Sequence, residues 1–382
     1  LIINKLNIIN LRNHIDSHLE FSPKLNVFYG PNGSGKTSIL EAISICGFTK
    51  SFLPTNDLNL IRFGENSYRI SLHSTNYLNS EYHINIEFLN NIKNKKLIKS
   101  TFGNNISPKE VIGELPQVIL SPDFKIITFG SPQDRRSFID RLLSQLSKSY
   151  YEDLLKLKKI LKQRNELLSN VESDNNFDRG TFEILTNMLV DVSKNIIFKR
   201  AEFINEIIPI YKKYYKFITE NKEFVDIKYF LSGKAVDNNI LTDKTLLLEY
   251  INSEFSRLEN AEIRRGLTLF GPQKDDIEFI INNGLAKEIA SQGQHKSILI
   301  SLKFAELEYL KFSKAEIPVI LLDDIFSELD ELRISKVFEL IEHLDSQAFI
   351  TVTETNILKN VISNYKSVSY FKISDGTILK EN

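Results

Sequence analysis

The sequence predicts an α/β fold built from both chain ends, in which one sheet carries a glycine-rich loop, a second sheet is antiparallel, and a mainly helical lobe is inserted between the two halves. Three observations predict it. The apolar run Leu25 to Tyr29 ends at a glycine-rich turn and gives way to apolar residues at helical spacing (Ile39, Leu40, Ile43), while a second apolar run, Pro318 to Leu322, ends in Asp323-Asp324. Residues 67 to 102 alternate apolar and polar side chains with period two. From about Pro132 the period becomes that of a helix and stays so through the middle of the chain. The expected boundaries are 1–125 for the first part of the α/β head, 126–260 for the helical lobe and 261–382 for the second part of the head.

Each element has its own justification. Ile3, Leu6 and Ile8, then Leu19 and Phe21, mark two half-buried strands ahead of the strand at Leu25. Tyr68, Ile70 and Leu72, then Tyr82, Ile84, Ile86 and Phe88, separated by polar turns at Asn76 and Asn90, predict antiparallel hairpins. In the lobe, Phe138, Leu142, Leu146 and Tyr150 form one helical stripe and Leu154, Leu157 and Leu161 another. Leu185, Met188, Leu189, Val192 and Ile196 mark a third helix, continued by Phe203, Ile207 and Tyr211. The polar break from Ser169 to Arg179 reads as the loop of a helix hairpin. The last third predicts a strand at Ile277–Ile281, a helix at Gln294–Lys311, a strand at Val319–Leu322, a helix at Glu331–Leu344, a strand at Ala348–Val352 and a terminal hairpin through Asp375 and Gly376.

Composition narrows the classes. With 382 residues, 42% hydrophobic and 25% charged, the chain has enough apolar material for two or three packed lobes and is not of disordered or fibrous type. One cysteine, Cys46, excludes a disulfide framework and a cysteine zinc site and agrees with a reducing cytoplasm. No apolar run approaches the ~20 residues that span a bilayer, and Leu1 to Leu11 lacks the basic start and apolar core of a signal peptide. Lys and Arg total 48 against 49 for Asp and Glu, so any nucleic-acid binding must come from a local basic face.

Gly30-Pro31-Asn32-Gly33-Ser34-Gly35-Lys36-Thr37 fits the phosphate-loop pattern G-x-x-x-x-G-K-[ST], between a strand and a helix as that pattern requires. The glycines let successive N–H groups curl around a β-phosphate, Lys36 brings a point charge to the β and γ oxygens, and the Thr37 hydroxyl ligates Mg²⁺ at the positive end of a helix. A buried strand ending in carboxylates is where a doubly wound sheet holds its metal. Asp323 is therefore expected to bind Mg²⁺ through water and Asp324 to polarise the attacking water, although a strand-end Asp can also cap the next helix. Lys36 and Asp323 stand too far apart in the chain for a compact GTPase or RecA-like core, so something large is inserted. Ser291-Gln292-Gly293-Gln294-His295 opens a helix shortly before Asp323; its hydroxyl and free N–H groups can bind a phosphate, or serve simply as a helix cap.

The order of these motifs, followed by Ser327-Glu328-Leu329-Asp330, resembles the Walker A, signature, Walker B and D-loop of ABC-type ATPases. More closely, the chain resembles the RecF family of bacterial DNA replication and repair proteins, related to SMC heads. The resemblance runs through Leu11-Arg12-Asn13, Leu115-Pro116, Ser121-Pro122-Asp123, Ser131-Pro132, Arg135-Arg136, Phe138-Ile139-Asp140, Leu269-Phe270-Gly271-Pro272 and Asp275-Asp276. It implies an ABC-type ATPase head and a weak, DNA-dependent ATPase using ATP and Mg²⁺. Nucleotide would be held by Gly30 to Thr37 with Ser38 and Arg12, and by Ser291, Gly293 and Gln294 of the second protomer of an ATP-dependent homodimer. It further implies binding to double-stranded DNA and single-strand/duplex junctions, cooperation with RecR- and RecO-type proteins, and a cytoplasmic location without a membrane partner.

This chain departs from the family pattern in places. Gln273-Lys274 stand where the family has His-Arg, Leu53 stands where an Arg is usual, and Thr353 follows the strand where transporters place a switch His. Two positions compete for the Q-loop, Gln117 and the strand end at Asp123. Basic residues cluster at Lys93, Lys95, Lys96 and Lys99, at Lys156, Lys158, Lys159, Lys162 and Arg164, and at Lys212, Lys213 and Lys216. These are solvated faces or, given the resemblance, phosphate contacts to DNA. The rival from another class is a nucleotide-gated repair scaffold with negligible hydrolysis and weak DNA affinity.

Overall fold

The computed structural model describes residues 1–91, 94–170, 177–220, 223–362, 365 and 367–381. It divides into two compact units, Leu1–Phe124 with Lys296–Asn382, and Lys125–His295. The first is thus contributed by both chain ends and the second is an insertion. Among the described residues no helix is long and apolar enough to cross a membrane.

The first unit has two six-stranded sheets. One runs, edge to edge, Thr377–Glu381, Val368–Ser374, Leu25–Tyr29, Ala348–Val352, Val319–Asp323 and Gln117–Leu120. All its neighbours are parallel except the terminal hairpin. Every residue of the strands Val319–Asp323, Ala348–Val352 and Gln117–Leu120 is buried, which is why they read as unbroken apolar runs rather than alternations. The other sheet is antiparallel: His14–Glu20, Ile2–Leu11, Ser67–Thr75, Glu81–Leu89, Lys95–Ser100 and Gly103–Asn104. It buries Tyr68, Ile70 and Leu72 opposite Phe88, Ile86 and Ile84 and turns Arg69 and Glu87 outward, the alternation of a sheet with one wet face. The helix Lys36–Phe48 packs against strands of both sheets, and nearly all of its side chains are buried, so it shows no polar stripe.

The second unit contains the helices Pro132–Leu146, Lys148–Ser169, Arg179–Thr219 and Lys244–Arg265. The third predicted helix, with its continuation through Tyr211, is the single helix Arg179–Thr219, 41 residues long. Most of the expected hairpin loop before it, 171–176, lies outside the described residues. The lobe also has a four-stranded antiparallel sheet, Lys234–Ala235, Val225–Leu231, Asp276–Ile281 and Gly284–Leu285. This corrects two expectations: the Ile277 strand belongs to the lobe rather than the head, and the lobe extends past 260 to His295. The reason is pairing, since Asp276–Ile281 lies antiparallel to Val225–Leu231 over its full length.

A buried ionic network ties that pairing to the helices. Arg200 donates to Asp140 (2.9 Å), to Asp275 (3.0 Å) and to the Pro272 carbonyl (2.7 Å), and Arg135 grips Asp276 with two nitrogens at 2.8 and 3.0 Å. Asp275 is fully buried, and burial raises its pKa against the opposing pull of Arg200 and the Tyr229 hydroxyl. The Asp275-Asp276 pair is therefore structural glue within the lobe, and Gln273 beside it folds back to donate to the Phe270 carbonyl (2.8 Å).

Candidate nucleotide site

The loop Gly30–Gly35 leaves the C-terminal end of Leu25–Tyr29 and runs into the helix that starts at Lys36. Gly30 has φ +147°, and a Cβ there would lie 2.1 Å from the Ile373 carbonyl oxygen, so no other residue fits between loop and neighbouring strand. The loop is braced from the chain start. Asn13 Nδ2 donates to the Gly33 carbonyl (3.0 Å), His14 Nε2 bonds the Gly35 carbonyl (3.0 Å), and His14 Nδ1 meets Ser17 Oγ at 2.9 Å. Because Gly35 supplies only a carbonyl at this contact, Nε2 carries a proton and donates to it. Neither His14 nor its contact with the loop was legible in the sequence; its place directly after Leu11-Arg12-Asn13 was the available signal.

Lys36 folds back over the loop, its Nζ donating to the Gly30 and Pro31 carbonyls at 2.7 and 2.8 Å. Burial lowers its pKa, and the negative charges of Asp324 and Asp323 partly restore it. Pro31, Asn32 and Gly33 are exposed at the loop's tip, while Ser34 and Ser38 are buried, and the Ser34 hydroxyl has no hydrogen-bond partner.

The carboxylates arrive from the strand Val319–Asp323. Its neighbour Ala348–Val352 separates it from the loop's own strand, with Asp323 level with Thr351 and Val352 level with Tyr29. Thr37 Oγ1 donates to Asp323 Oδ1 (2.9 Å), and Thr351 Oγ1 donates to the same oxygen (2.7 Å) while accepting from the Asp324 N–H (2.9 Å). Burial raises the pKa of Asp323, and the two hydroxyl donors oppose that shift. Asp324 sits in a left-handed conformation, φ +47°, and its carboxylate accepts no hydrogen bond among the described residues.

These groups fit a magnesium nucleotide. Thr37 and Asp323 are the hard oxygen donors that Mg²⁺ selects, the orphaned Ser34 hydroxyl faces no protein partner, and the N-terminal end of a buried helix points at the loop. A metal held by Asp323 through water would need no third side-chain ligand; among the described residues no group of three or more His, Cys, Asp or Glu could hold a metal ion.

Other expected residues are placed less simply. Arg12 makes a two-pronged pair with Glu41 (3.1 Å for each nitrogen) and donates to the Asn59 carbonyl (3.1 Å), and Ser51 shares the same buried Glu41. Gln117 lies level with Val319, at the end of the sheet opposite Asp323, and its amide donates to the Ser44 carbonyl (3.2 Å). Of the two Q-loop positions, the strand end leading to Asp123 is the one on the nucleotide side of the sheet.

Ser291, Gly293 and Gln294 belong to the second unit and the phosphate loop to the first. Ser291 is exposed, its N–H donating to Gln294 Oε1 (2.6 Å) and its Oγ accepting from the Gln294 N–H (3.2 Å), the reciprocal pattern of a capping box. Further along this helix, Ser297 Oγ accepts from Arg333 at 3.0 and 3.1 Å, and Lys296 pairs with Glu328 (3.7 Å), which joins the signature helix to the segment Ser327–Asp330.

The basic clusters divide as well. Lys96 pairs with Asp57 (2.5 Å) and donates to the Thr49 carbonyl (2.8 Å), Arg164 is fully buried on Glu262 (2.6 Å), and Lys212 pairs with Asp226 (3.1 Å). Lys93 lies outside the described residues. Lys95, Lys99, Lys156, Lys158, Lys159, Lys162, Lys213 and Lys216 are exposed.

A phosphate loop and a carboxylate-ended strand flanking one intervening strand, beside a second antiparallel sheet and with a large insertion, define an ATPase head of the ABC type. The RecF/RecN/SMC N terminal domain family matches residues 2–374. The DNA replication and repair protein RecF of Chloroherpeton thalassium is 34% identical over 351 residues, 92% of this chain and 94% of its own. That of Staphylococcus carnosus is 32% identical over 378 residues, 99% and 100% respectively. A solved structure of the recombination mediator RecF with ATP, in the RecFOR pathway, superposes with TM-score 0.88 at 28% identity, covering 100% of this chain and 98% of the other. A Pyrococcus furiosus Smc head bound to the C-terminal domain of ScpA shares the fold at TM-score 0.58 and 15% identity. The chain belongs to the RecF family.

Proposed function

We propose that this protein is a repair and recombination mediator of the RecF type, a weak DNA-dependent ATPase whose ATP state dimerises and binds DNA. It favours gapped DNA and single-strand/duplex junctions, acts in the bacterial cytoplasm, and assists recombinase loading with RecR- and RecO-type partners. The family membership and the ATP complex of a relative support the reading. The observation that carries it is the Thr37–Asp323 hydrogen bond, which brings the phosphate loop and the carboxylate pair from opposite ends of the chain into one site.

In this reading Gly30 to Thr37 cradle the phosphates, with Pro31, Asn32 and Gly33 at the exposed tip and Ser38 and Arg12 behind. Lys36 leaves the Gly30 and Pro31 carbonyls for the β and γ oxygens, which are stronger acceptors for a cation. Mg²⁺, when bound, neutralises charge developing on the β and γ oxygens. Asp324, free of competing hydrogen bonds, orients the attacking water and takes its proton. Ser291, Gly293 and Gln294 of a second protomer complete the γ-phosphate shell.

Asp324→Asn keeps the shape but cannot accept a proton, so hydrolysis should fall about 10²- to 10⁴-fold while ATP binding persists and the dimer on DNA becomes long-lived. Single-turnover hydrolysis and dimer lifetime, measured together, test this. Unchanged hydrolysis would remove Asp324 from the base role, and a wild type without DNA-stimulated turnover would favour a nucleotide-gated scaffold.

A further inference from the structure

We infer that Thr351 is a positioning residue for the metal and water side of this site, fixing which oxygen of Asp323 is left for the metal and the backbone pose from which Asp324 reaches the water. The inference rests on the ATPase reading above.

The side chain is fully buried on the strand between the phosphate-loop strand and the carboxylate strand, level with Asp323. A hydroxyl has one proton and two lone pairs, and here both kinds of group are in use: the proton goes to Asp323 Oδ1 at 2.7 Å and a lone pair takes the Asp324 N–H at 2.9 Å. Thr37 donates to the same Oδ1 at 2.9 Å. Two donors on one oxygen fix the carboxylate's rotation and leave Oδ2, which accepts no hydrogen bond among the described residues, as the oxygen free for a metal-bound water.

The second bond acts on the backbone. Asp324 is a non-glycine residue at φ +47°, a conformation that must be held by its surroundings, and the Thr351 hydroxyl holds the N–H of that very residue. One side chain therefore sets the geometry of both carboxylates. A threonine kept only for packing would be replaced at little cost by valine, which has its shape but neither donates nor accepts.

The test compares wild type, Thr351→Val and Thr351→Ser, with Thr351→Ala as a second removal should valine misfold. Mn²⁺ binding is followed by electron paramagnetic resonance in the presence of a slowly hydrolysed ATP analogue, and nucleotide binding is measured separately in EDTA. Loss of an outer-shell partner of a metal ligand costs roughly 10- to 100-fold. The expected result is that much weaker Mn²⁺ affinity in the valine and alanine variants, near-wild-type affinity in the serine variant, and equal metal-free nucleotide binding in all. Single-turnover hydrolysis should show the loss in kcat at saturating metal, with KM for ATP little changed. Wild-type Mn²⁺ affinity in Thr351→Val, or failure of serine to restore it, overturns the inference. A wild type that binds no metal–nucleotide at all overturns the ATPase reading, and this inference falls with it.

Discussion

Asp323 has two hydroxyl donors and Asp324 has none of its own, so neighbouring residues of identical chemistry are prepared for different work. The first is held in one rotation by two donors on one oxygen; the carboxylate of the second accepts no hydrogen bond among the described residues. The same logic extends to His14, whose ring bridges the Gly35 carbonyl and the Ser17 hydroxyl. Burial lowers its pKa below 6.5, although its contacts with Gly35 and Gly376 oppose the shift. A folded-state pKa below the unfolded one contributes stability that is present above pH about 6.5 and is lost as pH falls through the folded value. Melting temperature should therefore drop from pH 7.5 to 5.5, and His14→Gln should flatten the slope. Burial lowers His295 and His73 in the same sense, so the slope is reduced rather than abolished. A slope identical to wild type would show that the loop does not depend on His14. The sequence displays Lys36, Thr37, Asp323 and Asp324 because phosphate and metal chemistry demands those residue types at recognisable spacing. It hides His14 and Thr351, because hydrogen bonds across strands depend on a register that one sequence does not contain.

At the scale of elements, strands buried on both faces were the most readable: Ala348–Val352 is found where the apolar run predicts it, and Val319–Asp323 extends the expected strand by its carboxylate. Partnership was less readable than existence. The expected boundaries put the Ile277 strand in the head whereas it pairs in the lobe, and Gln117, one of the two Q-loop positions, starts its strand at the end of the sheet opposite Asp323. Neither follows from periodicity, which says that a segment is a strand and not which strand lies beside it. The signature helix carries the test at this scale. Ser291 is an exposed cap whose own bonds stay inside the first turn, so the segment is accessible to a second protomer. Ser291→Arg should spare ATP binding and abolish ATP-driven dimerisation by filling the space for the partner's γ-phosphate. Sedimentation should give a monomer with ATP bound, and a persisting ATP dimer would exclude the head-to-tail arrangement.

For the whole molecule, near-neutral charge means that the DNA binding proposed above has to come from a local basic face. Lys96, Arg164 and Lys212 are tied to carboxylates, and Lys156 and Lys162 pair with Asp153 and Glu166 along their own helix, so the proposed phosphate contacts fall to exposed lysines of which some are already paired. If two protomers make roughly six to ten phosphate contacts, affinity should fall by about 10³ to 10⁵ between 50 and 200 mM salt. Lys36→Ala should remove the ATP-dependent part and leave the salt slope of the remainder. Fluorescence anisotropy over that range measures both, and an affinity indifferent to ATP and salt would argue for the scaffold.

The brace on the phosphate loop from residues far along the chain has a consequence for timing. Gly30 fits against the Ile373 carbonyl, and the Gly376 N–H donates to the Ser34 carbonyl at 2.9 Å. A ribosome makes the loop about 340 residues before the strand and turn that brace it. At roughly 5–20 residues per second, the loop waits tens of seconds for them. During that interval the growing polypeptide holds a phosphate-loop sequence without its carboxylates and without its brace, so the loop's final geometry waits for the hairpin.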